Sequence, residues 1–488
     1  MLATQLDALA GAASAGVAEA FALVDGFDDA LVEGLGRLDA VRGDALTALA
    51  GAVAATPMGP AVRDAAEKVL AGSVTDEALV TLAGARAAVL GAAHDAVLAG
   101  FDGALGRARL DWDPAGEPAA APRPPGREPA LAGCRSWLRE LAVTGWRGVD
   151  EDVVSSSAQA RQAVLAEPGL RRLAVLLDGL AAELRASGQA GTASGPPVRR
   201  WADLWARAQL LAWRGDWSPP AGPAGGQGAG LVSGRLLPLG VEVAEHDTAA
   251  RVQVHAVLEP AAEGGVDGRP RLVRTGVTVA KVDTLVGPAL WRLFADYPVL
   301  LGALAEHRAL EIADMVSLGS GDLVWREDAA RLGDSADPFV TARVRLAEAV
   351  APAPAPLDRH PVRIAEPVLV EGYTTASDEA TQTLTFDLAG TALVVEADPT
   401  VDPASSLGPL TPALLAASSA CLGLLRWDDG RWWLRPLAAQ AVVKRKPVTA
   451  HAGDWALGAT DPKIAKARAK NGDAVAVLRE RAGRLLRR

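Results

Sequence analysis

Apolar residues recur three and four positions apart through the first half of the chain and at every second position in much of the second half, which predicts helices followed by strands. Leu2, Leu6 and Leu9 open one helical face, and Val62, Ala66 and Val69 mark another. Thr56-Pro57-Met58-Gly59-Pro60 and Gly72-Ser73 interrupt the pattern, and Thr75-Asp76 ahead of Ala78-Leu79-Val80 reads as a helix start. Residues 113–129 are rich in Pro, Gly, Ala and Arg, cannot continue a helix, and read as a linker. Helical periodicity then returns over 131–144 (Trp137, Leu138 and Leu141 on one face), 150–166, 168–186 (Leu173, Leu176, Leu177, Leu180, Leu184) and 198–213 (Trp201, Leu204, Trp205, Leu211). Pro168 and Pro197 stand at or before helix starts, where a missing N–H costs nothing.

A second Pro/Gly-rich linker covers 218–230, and the period then shifts towards two. Val252, Val254 and Ala256 alternate with Arg251, Gln253 and His255, and Val277 and Val279 repeat the pattern. Residues 284–306 predict helix with a new turn at Pro298; strands are expected over 340–346 and 362–370. Hairpins are expected where 381–388 turns at Ala389-Gly390 into 391–396, and where 422–427 turns at Asp428-Asp429-Gly430 into 431–437. The expected class is α+β, with an alanine-rich helical N-terminal half and a mixed, mainly antiparallel β-rich C-terminal half. Its expected divisions are a helical region (1–112), a linker (113–129), a helical module (130–217), a linker (218–230), a β-rich α+β domain (231–460) and a basic helical tail (461–488). Gly26-Phe27-Asp28-Asp29-Ala30-Leu31 is echoed by Gly100-Phe101-Asp102-Gly103-Ala104-Leu105, which duplicated helical hairpins would produce and so would chance in a chain this rich in Ala, Gly and Asp.

Composition narrows the function classes. The net charge of −10 disfavours a globally electropositive nucleic-acid binder and leaves room for local basic surfaces. Two distant cysteines, Cys134 and Cys421, make neither a disulfide framework nor a zinc ligand set, so a reducing, cytoplasmic setting is expected. The N-terminal stretch lacks the positive region of a signal peptide, and no run of about 18 uncharged apolar residues predicts a membrane span.

Motifs for chemistry are absent. None of His94, His246, His255, His307, His360 and His451 pairs with another ligand at a recognised metal spacing, so no metal or cofactor is expected. The glycine run 222–230 leads into a strand rather than a helix, which excludes a phosphate loop. Gly319-Ser320-Gly321-Asp322 reads as a hairpin turn rather than a nucleophile elbow. Asp28/Asp29 and Asp428/Asp429 read as solvated turn residues without the burial that separates two carboxyl pKa values.

Thirteen Trp residues outnumber six Phe and two Tyr. Trp201, Trp205, Trp213 and Trp217 cluster at the end of the helical module and are candidate partner contacts, with core filling as the alternative. Lys444, Arg445 and Lys446, with Lys463, Lys466, Arg468 and Lys470 in the tail, are the candidate contacts to an acidic protein or to phosphates.

Glu140-Leu-Ala-Val-Thr-Gly-Trp-Arg-Gly148, residues 171–184 (RRLAVLLDGLAAEL) and residues 199–211 (RRWADLWARAQLL) resemble uncharacterised actinobacterial proteins encoded beside SWIM zinc-finger proteins, MoxR-type AAA+ ATPases and von Willebrand A-domain proteins. The resemblance implies a companion role. This chain carries no Walker loop, no SWIM cysteine–histidine pattern and no metal-ion-dependent adhesion motif. The leading expectation is a non-enzymatic adaptor, with an AAA+ ATPase among its protein partners and no membrane. The alternatives are nucleic-acid binding through the β-rich half and tail, and an enzyme whose site gathers His246, His255 or Asp314 across the fold.

Overall fold

The computed structural model describes residues 1–11, 15–112, 127–167, 170–189, 198–214, 230–245, 249–261, 268–281, 287–318, 320–378, 383–397, 406–428 and 430–459. Among the described residues nine α-helices come first: α1 (Ala3–Gly11), α2 (Ala15–Glu33), α3 (Ala40–Ala52), α4 (Gly59–Leu70), α5 (Asp76–Leu105), α6 (Arg127–Thr144), α7 (Glu151–Leu165), α8 (Arg171–Gln189) and α9 (Val198–Arg214). Asp39, Thr75 and Asp150 cap α3, α5 and α7 by accepting the N–H three residues on, the local chemistry that starts a helix. Gly106 ends α5 in the left-handed region at φ 65°.

The two helical regions that the sequence separates share one core. Val24, Leu31, Leu46 and Leu82 from the first pack in a single cluster with Leu138, Leu141, Leu177 and Trp205 from the second. The helices before residue 113 and after residue 126 therefore form one bundle with an undivided core. Small alanines let the helices approach closely, and α5 runs through the middle. Among the described residues α5 is the helix long and apolar enough to cross a membrane, yet its apolar window is more than half buried inside the bundle.

Strands β1 (Gly230–Glu245), β2 (Ala249–Pro260) and β3 (Arg271–Ala280) form an antiparallel meander. A 3-10 helix (Gly287–Phe294) and α10 (Pro298–Ala305) follow, then β4 (Arg308–Ser317), β5 (Asp322–Val324) and β6 (Ala330–Ser335). The first half of β1 pairs antiparallel with β4, β4 with β5, and β5 runs parallel to β3. The sheet thus closes in the order 1-2-3-5-4-1 with helix between the third and fourth strands.

The second sheet repeats this plan. After α11 (Pro338–Arg345) come β7 (Ala365–Glu371), β8 (Thr374–Asp378), β9 (Thr383–Leu388), β10 (Thr391–Val395), α12 (Pro412–Ala416), β11 (Ser418–Asp428), β12 (Arg431–Val443) and β13 (Lys446–His451). β7 and β8 act as one first strand kinked at Gly372, whose φ of 73° a side chain would resist. β8 pairs with β9, β9 with β10, β10 runs parallel to β12, β12 pairs with β11, and β11 returns to β7. Both halves of the β region therefore have the strand order and relative directions of the five-stranded Greek-key barrel called the OB fold.

A separate apolar layer joins the barrels: Leu237, Val257 and Leu272 from outside the first meet Leu422 and Ala438 of the second, with Phe339 of α11 between them. Gly240 is required there, because a Cβ would stand 2.6 Å from Leu437 Cβ. The bundle docks on barrel 2, where Leu6, Leu9, Val97 and Phe101 join the cluster of Leu393, Trp427 and Leu434. Arg107 and Arg109, just beyond α5, both reach Glu366 at the start of β7 (2.9 and 3.2 Å).

The α+β order and both named hairpins match the sequence expectation, and Ser320 and Gly321 turn β4 into β5. Residues 340–346, expected as strand, lie in α11 and its C-cap instead. The alternation of Val340, Ala342 and Val344 is overridden by Asp337-Pro338, where Asp337 accepts the Phe339 and Val340 N–H groups and Pro338 presets the first helical φ. Residues 361–363 form a 3-10 turn before β7 begins at Ala365. Phe27 and Phe101 of the echoed phrases are both fully buried, but in different cores. The basic tail lies outside the described residues.

Candidate functional site

Two members of the tryptophan cluster are core, not surface. Trp201 and Trp205 are completely buried, and both correct the expectation of partner contact. Their α9 stripe points into a bundle whose alanines leave volume that indole rings fill. Trp205 Nε1–H donates to Leu138 O at 2.9 Å, and Trp201 meets Trp146 edge-on at 4.8 Å between centroids. Trp213 is half-buried with the Arg135 guanidinium over its ring; Trp217 lies outside the described residues.

The basic hairpin tip is accessible. Lys444 and Arg445 hold left-handed φ angles of 51° and 66° in the turn between β12 and β13, and Lys446 follows. All three are exposed, and no ion pair links them to a described residue. Lys463, Lys466, Arg468 and Lys470 lie outside the described residues.

Charge is also concentrated inside. Asp28, expected in a solvated turn, is fully buried in α2 and takes two hydrogen bonds from Arg86 of α5, from Nε at 2.6 Å and Nη2 at 2.8 Å. Burial pushes the Asp28 carboxyl up to about 6 against the pull of Arg86. Asp203 of α9 lies 3.8 Å from Arg86 and 3.2 Å from Arg207, and Arg207 donates to Leu357 O at 2.8 Å in the segment between the barrels. His360 of the same segment stands 3.9 Å from Asp203, and burial pushes its pKa down to about 4. These groups lock α2, α5, α9 and the inter-barrel segment together, with a fixed partner for each charge rather than an open reaction site.

Among the described residues, His255 and Asp314, two of those proposed for a hidden enzyme site, do not converge. His255 is buried on β2 with Nε2 3.0 Å from Glu242, which Arg435 of barrel 2 reaches at 3.2 Å. Burial raises the Glu242 carboxyl, but the His255 and Arg435 contacts outweigh it and hold it below its usual range. Asp314 is exposed on β4, its N–H donated to Ser233 Oγ, and His246 lies outside the described residues. Burial pushes the Cys134 thiol up to about 12 and raises Cys421 as well, which removes both as nucleophiles. A cavity of about 210 Å³ between α1, α5 and the hairpin tips of barrel 2 is lined by Leu9, Phe101, Leu393, Trp427 and Trp432, with no carboxylate, imidazole or thiol in its wall among the described residues.

One cluster was invisible in sequence. His307, between α10 and β4, meets His451 at the end of β13 and Asp454 in the following turn. Asp454 Oδ1 lies 3.1 Å from His307 Nε2 and 3.3 Å from His451 Nδ1, and the two rings stand 4.0 Å apart. The signal available, His451-Ala452-Gly453-Asp454, supplies two of the three groups; the third is distant in the chain.

No family model, curated protein or solved structure matches this chain.

Proposed function

We propose that this protein is a non-enzymatic adaptor: a helical bundle and two barrels joined into one body that presents a basic hairpin tip to an acidic protein surface. The observation that carries the reading is the contrast between cations. Arg86 is committed to a buried carboxylate and Arg107 and Arg109 to half-buried ones, whereas Lys444, Arg445 and Lys446 stand exposed without an ion pair among the described residues. Faces that OB barrels use for ligands are taken up by internal packing here, at Val257 and Leu272 in barrel 1 and under α1 in barrel 2. The resemblance to proteins encoded beside MoxR-type AAA+ ATPases makes such an ATPase the first partner to test. The experiment is a pull-down from the native cell at low and moderate salt with the wild type and a Lys444→Glu/Arg445→Glu/Lys446→Glu variant. A stoichiometric partner lost with the variant supports the reading. A monodisperse wild type that recovers nothing at low salt refutes it.

Nucleic-acid binding is the second reading, favoured by the OB strand order of both barrels. It requires salt-sensitive retention on single-stranded DNA or RNA. Three lost phosphate contacts in the charge-reversal variant would flatten the log–log salt slope by about 2.

A further inference from the structure

The geometry points to a divalent transition-metal site formed by His307, His451 and Asp454, zinc being the ion that fits it best. Zinc binds imidazole nitrogen and carboxylate oxygen at roughly 2.0–2.1 Å, so two donors of a tetrahedral site stand about 3.3 Å apart. The separations of His307 Nε2 and His451 Nδ1 from Asp454 Oδ1, 3.1 and 3.3 Å, match that spacing, and all three donor atoms lie within 4.8 Å of one another. The donor set of two imidazoles and one carboxylate suits zinc and its transition-metal neighbours better than calcium or magnesium, which take oxygen throughout.

A second observation concerns satisfaction. The His451 side chain is only 9 % exposed, yet neither of its ring nitrogens has a hydrogen bond of acceptable geometry, and the same holds for Asp454 Oδ1. Buried polar atoms in native proteins are normally paired, and a metal ion here would pair one His451 ring nitrogen and Asp454 Oδ1 at once. The surroundings already orient the ligands. The His451 backbone N–H donates to Asp454 Oδ2 at 2.9 Å, turning Oδ1 towards the histidines, and the Phe339 ring meets the His451 ring edge-on. His307 is 31 % exposed, which gives an ion a route from solvent. Three protein donors leave the fourth position to water.

The location supplies a role. His307 belongs to barrel 1, His451 ends the last strand of barrel 2, and just beyond Asp454 the chain inserts Trp455 and Ala456 into the core of barrel 1. A bound ion clasps this crossing and ties the barrels together.

The test uses the full-length, tag-free chain, stripped with chelator, re-equilibrated with zinc and desalted. Metal analysis should find close to one zinc per chain in the wild type and at least a tenfold weaker affinity in His307→Ala and in Asp454→Asn, with the His255→Ala control unchanged. Zinc should raise the wild-type melting midpoint and leave that of His307→Ala in place. Cobalt(II) should give the visible bands of a four-coordinate site in the wild type alone. Because His307 is partly exposed, His307→Ala decides the matter even if Asp454→Asn fails to fold. A folded wild type that retains no zinc or cobalt, or a His307→Ala variant that retains both as well as the wild type, overturns the proposal.

Discussion

Replacing Arg86 with methionine leaves the Asp28 carboxyl in a site with no solvent exposure and removes both of its guanidinium hydrogen bonds, at 2.6 and 2.8 Å. With Arg86 present, burial already raises Asp28 to about 6; without it, burial acts unopposed and Asp25 and Asp203 push in the same direction. In the variant at neutral pH, Asp28 therefore folds as a neutral acid, and folding takes up a proton. The unfolded carboxyl titrates near 3.9, so holding it neutral costs about 4 kcal/mol at pH 7, at about 1.4 kcal/mol per pH unit, of which the wild type with its folded value near 6 already bears about 3 kcal/mol. A raised folded pKa gives stability that is complete below the unfolded value and lost as pH rises through the folded value. From pH 6.5 to 8.5 the variant should thus lose about 3 kcal/mol more than the wild type, in which Asp28 is already largely ionised in both states. Urea unfolding followed by tryptophan fluorescence across this pH range measures it, and the Asp28→Asn/Arg86→Met double variant should abolish the slope. A single variant whose stability runs parallel to the wild type, or one that costs under about 1 kcal/mol, refutes the reasoning.

Trp205→Ala should cost about 3–5 kcal/mol in urea unfolding, because the ring is fully buried; Trp205→Phe, which removes the indole hydrogen bond to the Leu138 carbonyl and part of the ring volume, should cost about 1–3 kcal/mol while leaving partner affinity intact. A cost within error of zero for Trp205→Ala would return the ring to the surface. Gly240→Ala drives a Cβ to within 2.6 Å of Leu437 and should destabilise by about 1–3 kcal/mol; the penalty should shrink when Leu437 is also cut to alanine, and strict additivity would argue against the contact. His360 is held neutral, its pKa lowered from about 6.5 to about 4, so its contribution is complete above pH 6.5 and lost as pH falls towards 4. The wild type should lose on the order of 3 kcal/mol more than His360→Asn across that window; the difference between the two proteins isolates His360 from Asp28, which acts in the opposite sense below pH 6. Identical pH profiles would show that the imidazole titrates normally.

The joining of the units also bears on function. Each barrel has the strand order of a ligand-binding fold, but packing against α1, α11 and the other barrel uses apolar face that a ligand would otherwise meet. What remains open to a partner includes the hairpin tip at Lys444 and Arg445, whose left-handed turn holds both cations out at the end of a two-stranded ribbon.

Periodicity, caps and turn chemistry are local, and what depends on them was legible in the sequence: the helices before the strands, the Thr75 cap of α5, the Ala389-Gly390 hairpin, and the tight turn at Gly430. The error at 340–346 arose within the same local language, where a two-residue alternation masked the Asp337-Pro338 cap. Which faces meet is not local. An amphipathic stripe at Trp201 and Trp205 has the same pattern whether it covers a core or a partner, and only the bundle directs it inwards. Asp28 beside Asp29 has the composition of a surface pair until α5 brings Arg86 against it. Closure of two barrels in one strand order depends on pairings such as β1 with β4 and β10 with β12, which join segments far apart in the chain. His307 and His451 became neighbours for the same reason: short-range forces write their patterns into adjacent residues, whereas a site assembled by packing leaves each of its members in an ordinary local setting.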